Sequence, residues 1–348
     1  MKSTATVLLL LILMPLTMAR RVAGIPQAQD KHLTNIRRIT NVAGAQNAEA
    51  YFSFNNKKLI FQSTRPPYKC DQIFTMNLDG TDVRLVSTGL GRTTCSFFLP
   101  GDKDIIYAST HEGGADCPPQ PDMSHGYMWA VYKDYDVFMA KSDGTNVRNL
   151  TRSPGYDAEA TVSPDGKHII WTSQRNGDID IYTMNLDGSN IKRLTSEIGY
   201  DGGAFYSWDN KQIVYRAYHP TDPKDVERYQ SLLAQGLIEG KTLEIMIMNA
   251  DGSGKRQLTH NGKVNFAPFF PPDDKKIIFS SNVNDPSGRS FHLCLMNADG
   301  SGLEQVTFDG NFNSFPMFSR DGTKLVFASD GYGSQPGEIN IFLADWKS

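Results

Sequence analysis

Ser163-Pro164-Asp165-Gly166-Lys167-His168-Ile169-Ile170-Trp171 opens a unit that continues through Ile181-Tyr182-Thr183-Met184-Asn185-Leu186-Asp187-Gly188 to Ile191-Lys192-Arg193-Leu194-Thr195. Read as chemistry, Pro-Asp-Gly is a turn that feeds a buried apolar run. The second segment is rich in β-formers, and Asp187-Gly188 is a hairpin signal because glycine accepts the positive φ of a tight turn. The third segment is apolar at its ends and basic between them, which suits an outer strand whose charges discourage edge-to-edge pairing. No helical period runs through the unit.

The unit recurs. Its apolar triplet returns as Leu59-Ile60-Phe61, Ile105-Ile106-Tyr107, Ile169-Ile170-Trp171, Ile213-Val214-Tyr215, Ile277-Ile278-Phe279 and Leu325-Val326-Phe327. Successive triplets start 46, 64, 44, 64 and 48 residues apart, against about 45 for a four-stranded propeller blade. The last unit stops after its third strand, near Ile341-Phe342-Leu343-Ala344. An unmatched outer-strand sequence, Ile36-Arg37-Arg38-Ile39-Thr40, stands at the other end and matches Ile191-Lys192-Arg193-Leu194-Thr195. The expected fold is therefore all-β: a six-bladed β-propeller over residues 33–348, its ring closed by the N-terminal strand completing the last blade. The expected blades span 45–87, 91–151, 157–195, 201–259, 264–307, and 312–346 together with 33–40.

Ahead of the ring, Lys2, the apolar run Val7 to Met14 and Thr17-Met18-Ala19 read as an export signal over residues 1–19, with Gly24 as an alternative cut. The run is too short to span a membrane. The expected location is periplasmic or secreted. Net charge is −3, which argues against nucleic acid as a partner. Export permits disulfides. Among Cys70, Cys95, Cys117 and Cys294, Cys70 with Cys117 is the favoured pair, Cys95 with Cys117 the alternative, and four buried free thiols are also compatible.

The two long intervals mark insertions at 109–134 and 216–241, each between the second and third strands of its blade, hence on one side of the disc. The first carries His111, Glu112, Asp116, Cys117, Asp122 and His125. In the second, Asp222 before Pro223 reads as a helix N-cap with proline at the first helical position. Val226, Tyr229, Leu232, Leu233 and Leu237 follow at helical spacing. The starts of the first strands surround the channel, and Glu49, Glu159 and Asp201 make one sector acidic. With Asp157 beside them and Tyr229 on the helix, these are the candidate ligand-binding residues. His111, His125 and His219 are candidate metal ligands without tight spacing, so no cofactor is expected beyond a metal ion as an option. The Asp of each Asp-Gly turn is explained by turn chemistry.

The units Pro164-Asp165-Gly166-Lys167, Ile181 to Gly188 and Lys192-Arg193-Leu194-Thr195 resemble the WD-type repeat of the TolB β-propeller family, and the resemblance runs from about Leu33 to the end of the chain. It implies a TolB-like periplasmic propeller rather than TolB itself, TolB being the periplasmic partner of the Tol-Pal envelope system. The α/β domain that precedes the propeller in that family is expected to be missing, because little chain separates the signal from the first strand. Similar propellers occur in oligogalacturonate lyases and before hydrolase domains of the prolyl oligopeptidase type. The expected function is a non-enzymatic binding scaffold for a protein, peptide or envelope polymer. The alternative is a metal-assisted polysaccharide lyase or hydrolase using His111, His125, His219, Glu49 and Glu159 at the propeller mouth.

Overall fold

The structure, a computed structural model, describes residues 31–122 and 128–347. The signal segment and His125 lie outside these residues. Six four-stranded antiparallel sheets and one two-stranded sheet account for the strands. The third blade shows the pattern, with strands Asp157–Val162, His168–Ser173, Asp180–Asn185 and Lys192–Arg193 in that order. The first strands of the six blades are Asn47–Phe52, Thr93–Phe98, Asp157–Val162, Tyr200–Tyr206, Asn265–Phe269 and Asn313–Phe318. The apolar triplets form the second strands and are buried almost completely, Ile60, Ile106 and Trp171 among them. Sandwiched between neighbouring blades, these strands are apolar on both faces, which is why the triplets lack alternation.

The ring is closed as the repeat predicts. Leu33–Arg38 pairs antiparallel with Asn340–Trp346, setting Leu33 against Trp346 and Arg38 against Phe342. A repeated side-chain bond marks the same closure. In each of the first five blades a hydroxyl just past the outer strand accepts a hydrogen bond from a third-strand amide: Ser87 from Ile73, Thr151 from Val137, Thr195 from Ile181, Thr259 from Ile245 and Thr307 from Leu293. In the sixth blade the hydroxyl is that of Thr40, bonded to the Ile341 amide at 2.9 Å. Chain residues 301 positions apart thus reproduce a contact that every other blade makes locally.

The two insertions meet. Met128–Ala130 in the first pairs with Leu237–Glu239 in the second, Trp129 opposite Ile238. Between the partners of this ladder lies the helix Pro223–Ala234, whose N-cap Asp222 side chain accepts from the Lys224 amide. Tyr229 and Leu233 are its buried face. The Tyr229 hydroxyl lies 2.6 Å from Asp178 and 2.7 Å from the Gly199 carbonyl, pinning the helix to loops of the third blade. A Cys70–Cys117 disulfide, Cα to Cα 5.9 Å, anchors the base of the first insertion to the first blade. Cys294 is buried and free, and Cys95 is half-buried and free.

Deleting residues through Thr40 removes the buried Leu33 and Ile39 and exposes a full strand edge. The two side chains alone are worth about 4 kcal/mol, so the truncated protein should melt far below the full chain in a calorimetric scan. Equal melting temperatures would mean that the ring does not depend on this strand.

Candidate functional site

Each blade carries the same distortion. In every first strand the register against the second strand shifts by one residue, a β-bulge: between Ala48 and Tyr51, Thr94 and Phe97, Ala158 and Thr161, Gly202 and Phe205, Phe266 and Phe269, and Ser314 and Met317. One residue of each bulge takes the left-handed conformation, with φ from 49° to 61°: Glu49, Cys95, Glu159, Gly203, Ala267 and Phe315. Only one of the six is glycine, so five carry the cost of a positive φ with a side chain. The bulge turns these residues toward the axis, and all six line one small axial cavity of about 30 Å³, room for about one water molecule.

Gly203 is the exception for a reason. A Cβ there would come within 2.8 Å of Nη1 of Arg216. The missing side chain makes space for the Arg216 guanidinium, which pairs with Oε1 of Glu159. Oε2 of Glu159 accepts from the Thr172 hydroxyl at 2.8 Å, the Tyr200 hydroxyl at 2.9 Å and the Gly203 amide at 3.0 Å. Both oxygens of Glu159 are satisfied. Burial opposes the charge on Arg216, but Glu159 and Tyr200 outweigh it and hold the guanidinium above its usual value.

Glu49 has no such company. Its Oε2 is sealed from solvent with no hydrogen-bond partner. Burial pushes the carboxyl up to about 7; a hydrogen bond with the Cys95 thiol works the other way, and the charge of Glu159 adds to the rise. The thiol of Cys95 is itself pushed well above its ordinary range by burial and by the two glutamates.

Below the ring the axis is plugged. Tyr51, Phe97, Phe205 and Phe269 pack across it at centroid distances of 5.0 to 6.4 Å. Beyond the plug Arg320 stacks on Phe54 and Trp208 and donates to the Pro164 carbonyl at 3.0 Å, tying the sixth blade to the third. Above the ring the mouth opens into a cavity of about 550 Å³. Glu49, Glu159 and Arg216 form part of its floor, Phe266, Phe291, Phe312 and Phe315 one wall, and Trp129 from the first insertion overhangs it. Each of the four phenylalanines is half-buried.

The sequence candidates divide by place. Glu49 and Glu159 face the mouth. Asp157 and Asp201 are fully buried two residues earlier, where the other blades carry Asn47, Thr93, Asn265 and Asn313. That position ties the first strand to the end of the second, as in Asn47 with Ser63 at 2.8 Å and Asn313 with Ser329 at 2.8 Å. Asp157 bonds to Ser173 in the same way and also takes Trp171 Nε1 at 2.8 Å and Arg175 at 3.1 Å, and Asp201 takes His219 at 2.9 Å. Tyr229 is buried under the helix, away from the mouth lining. His111 sits against Phe138 at 4.3 Å and bonds to Ser109. Neither His111 nor His219 lines the cavity that holds the glutamates. Among the described residues no group of three or more His, Cys, Asp or Glu is placed to hold a metal ion.

Aligning the first strands reaches Phe315 of the wall, but not Arg216, Phe266, Phe291 or Phe312. A signal for Arg216 existed: the aligned second-strand positions are Gln62, Ala108, Thr172, Arg216, Ser280 and Ala328, and one alone is charged. The wall as a whole had none, because its rings come from two different strand positions and from loops.

Six blades around a plugged axis, with the paired insertions at one mouth, define a six-bladed β-propeller. The family model described as the TolB beta propeller domain matches residues 120–226. The Tol-Pal system proteins TolB of Bordetella pertussis and Bordetella bronchiseptica are 56% identical over 34 residues, 10% of this chain and 8% of theirs. The match thus spans less than a tenth of the length of these relatives. A protein assigned as TolB from Agrobacterium tumefaciens superposes with a TM-score of 0.60 at 19% identity, covering 90% of this chain and 94% of that one. TolB from Acinetobacter baumannii gives 0.56 at 20% identity, covering 88% and 64%. An oligogalacturonate lyase in complex with manganese gives 0.53 at 11% identity, covering 90% and 93%, a likeness of fold. The chain is a six-bladed β-propeller that is similar over residues 120–226 to the TolB beta propeller domain.

Because the folded state holds the Glu49 proton more tightly than the unfolded chain, its favourable contribution is present below the ordinary value of 4.5 and is lost as pH rises through about 7. The loss by pH 8 is on the order of 3 kcal/mol at most. Glu49→Gln should therefore raise the melting temperature at pH 8 and leave it nearly unchanged at pH 4. A variant melting in parallel with the parent at both pH values would show that Glu49 is not strained.

Proposed function

We propose that this propeller is an exported, non-enzymatic binding scaffold that holds a protein, peptide or envelope polymer on its insertion-bearing face, in the periplasm and within the Tol-Pal envelope system. The observation that carries this reading is the mouth: a cavity of about 550 Å³ with four half-buried phenylalanines on one side and glutamates on its floor. A contiguous, half-exposed aromatic wall of this kind is costly unless something covers it, and aromatic anchors in a pocket dominate binding energies. Support also comes from the name of the Bordetella relatives, Tol-Pal system protein. No helix among the described residues is long and apolar enough to cross a membrane.

The metal-assisted lyase reading draws on the manganese-bound neighbour, whose likeness is of fold. The described residues do not fit that metal: His111 and His219 are committed to Ser109 and Asp201, away from Glu49 and Glu159. No chemical step is derived through it.

The test is capture from envelope extract, with the intact propeller as bait and Phe312→Ser as the comparison. Removing the ring from the aromatic wall should cost about 2 kcal/mol or more, at least about thirtyfold in affinity, and deplete the captured partner while the melting temperature holds. Equal capture by both baits would remove the mouth as the binding site.

A further inference from the structure

Four features of the mouth bear on what it takes. The first is the orphan oxygen of Glu49, buried without a hydrogen-bond partner; native structures rarely leave such a group unmade. The second is the charge balance around it. Glu159, the nearest comparable carboxylate, is saturated by Arg216, Thr172, Tyr200 and the Gly203 amide. Asp71 is paired with Arg92 at 3.6 Å. Glu49 alone brings an unanswered negative charge to the floor, while Arg289, the other cation of the lining, is exposed to solvent at the lip, where water screens it.

The third feature is the wall. Phe266 lies 5.4 Å from Phe291, 6.5 Å from Phe312 and 5.9 Å from Phe315, centroid to centroid. Phe312 also lies 6.4 Å from both Phe291 and Phe315. Such rings offer no hydrogen bonds, but their faces attract ammonium and quaternary ammonium groups. The fourth is Arg216, whose buried Nε–H is also without a partner and supplies a donor beside the carboxylate.

These features exclude by chemistry. A purely apolar ligand leaves the carboxylate stranded. An anion meets it head-on. A hydrated divalent cation wants six or more oxygen ligands, and the phenylalanines provide none. An organic cation, its charge carried on an apolar body, answers all four at once.

We propose that the mouth recognises an organic cation, either the trimethylammonium head of a small molecule or the ammonium of a lysine side chain, seated with its charge on Glu49 and its apolar body against the phenylalanine wall. A hydroxyl or carbonyl on the same ligand accepts from Nε of Arg216. The inference rests on the mouth being a binding site and assigns the chemistry of what binds there.

Calorimetric titration at pH 8 tests it with two matched pairs: choline against its neutral carbon isostere 3,3-dimethylbutan-1-ol, and N-acetyl-lysine methylamide against N-acetylnorleucine methylamide. The cation of at least one pair should bind at least about tenfold more tightly than its isostere, and Glu49→Gln should erase that preference. The winning pair tells a free small molecule from a side chain. Should the variant fail to fold, the parent protein decides. Glu49 titrates near 7 among Glu159, Arg216, Asp71, Cys95 and Tyr51, so a proton competes with the ligand, and lowering the pH from 8 to 6 should weaken binding about fivefold to tenfold. Equal affinity within both pairs, or a preference untouched by Glu49→Gln and by pH, overturns the proposal. Partner capture that still depends on Phe312 would then leave the scaffold reading standing; loss of both would remove both.

Discussion

The left-handed residue in the first strand of each blade is the constraint from which the site follows. A residue with a side chain at φ near 55° costs on the order of 1 to 2 kcal/mol, and five of the six bulge residues bear that cost. Ladder pairs on either side of each bulge hold it in place, as Ala158 with Thr172 and Thr161 with Ile170 do around Glu159. Because all blades bulge at the same point, six side chains converge on the axis whatever their chemistry. The scaffold determines where they meet, and the six letters at these positions determine what they do there. Two acids, a thiol, a glycine, an alanine and a phenylalanine give a ring that is polar on one side and apolar on the other.

Much of the fold was legible in the sequence because it is written by repetition. One turn-strand-hairpin phrase, copied at blade spacing, specifies a blade, and the orphan Ile36 to Thr40 specifies how the ring shuts. Thr40 shows why the inference was sound: its hydroxyl occupies a place that the sequence reserves for Ser or Thr after every other outer strand. The helix was legible too, since Asp222 and Pro223 satisfy local backbone demands that need no knowledge of the rest of the molecule. The meeting of the two insertions was not. A three-residue ladder between Met128–Ala130 and Leu237–Glu239 has no local signature, and its register depends on how two blades are placed in space.

The candidate site was half legible. Aligning the first strands picked out the right columns, but a sequence column does not say on which side of a bulge a residue falls. Glu49 and Glu159 sit at the turned position and face the mouth. Asp157 and Asp201, two residues earlier, sit before it, Asp157 bonded to Trp171 and Arg175 and Asp201 bonded to His219 through Oδ1. Arg216 enters from the neighbouring strand through the gap at Gly203, a pairing of an absence with a presence that only distances reveal. His111 and His219 lie apart for the opposite reason: each has a partner in its own blade, Ser109 and Asp201.

The plug of Tyr51, Phe97, Phe205 and Phe269, backed by Arg320, has a consequence for traffic. A ring with an open bore lets a chain thread through, or lets two ligands approach from opposite ends. This one is a blind cup. Whatever enters leaves by the same door, and two partners that use the floor cannot be held at once. Any pair of molecules that share this cup must take turns, so the affinity of one sets the availability of the protein to the other.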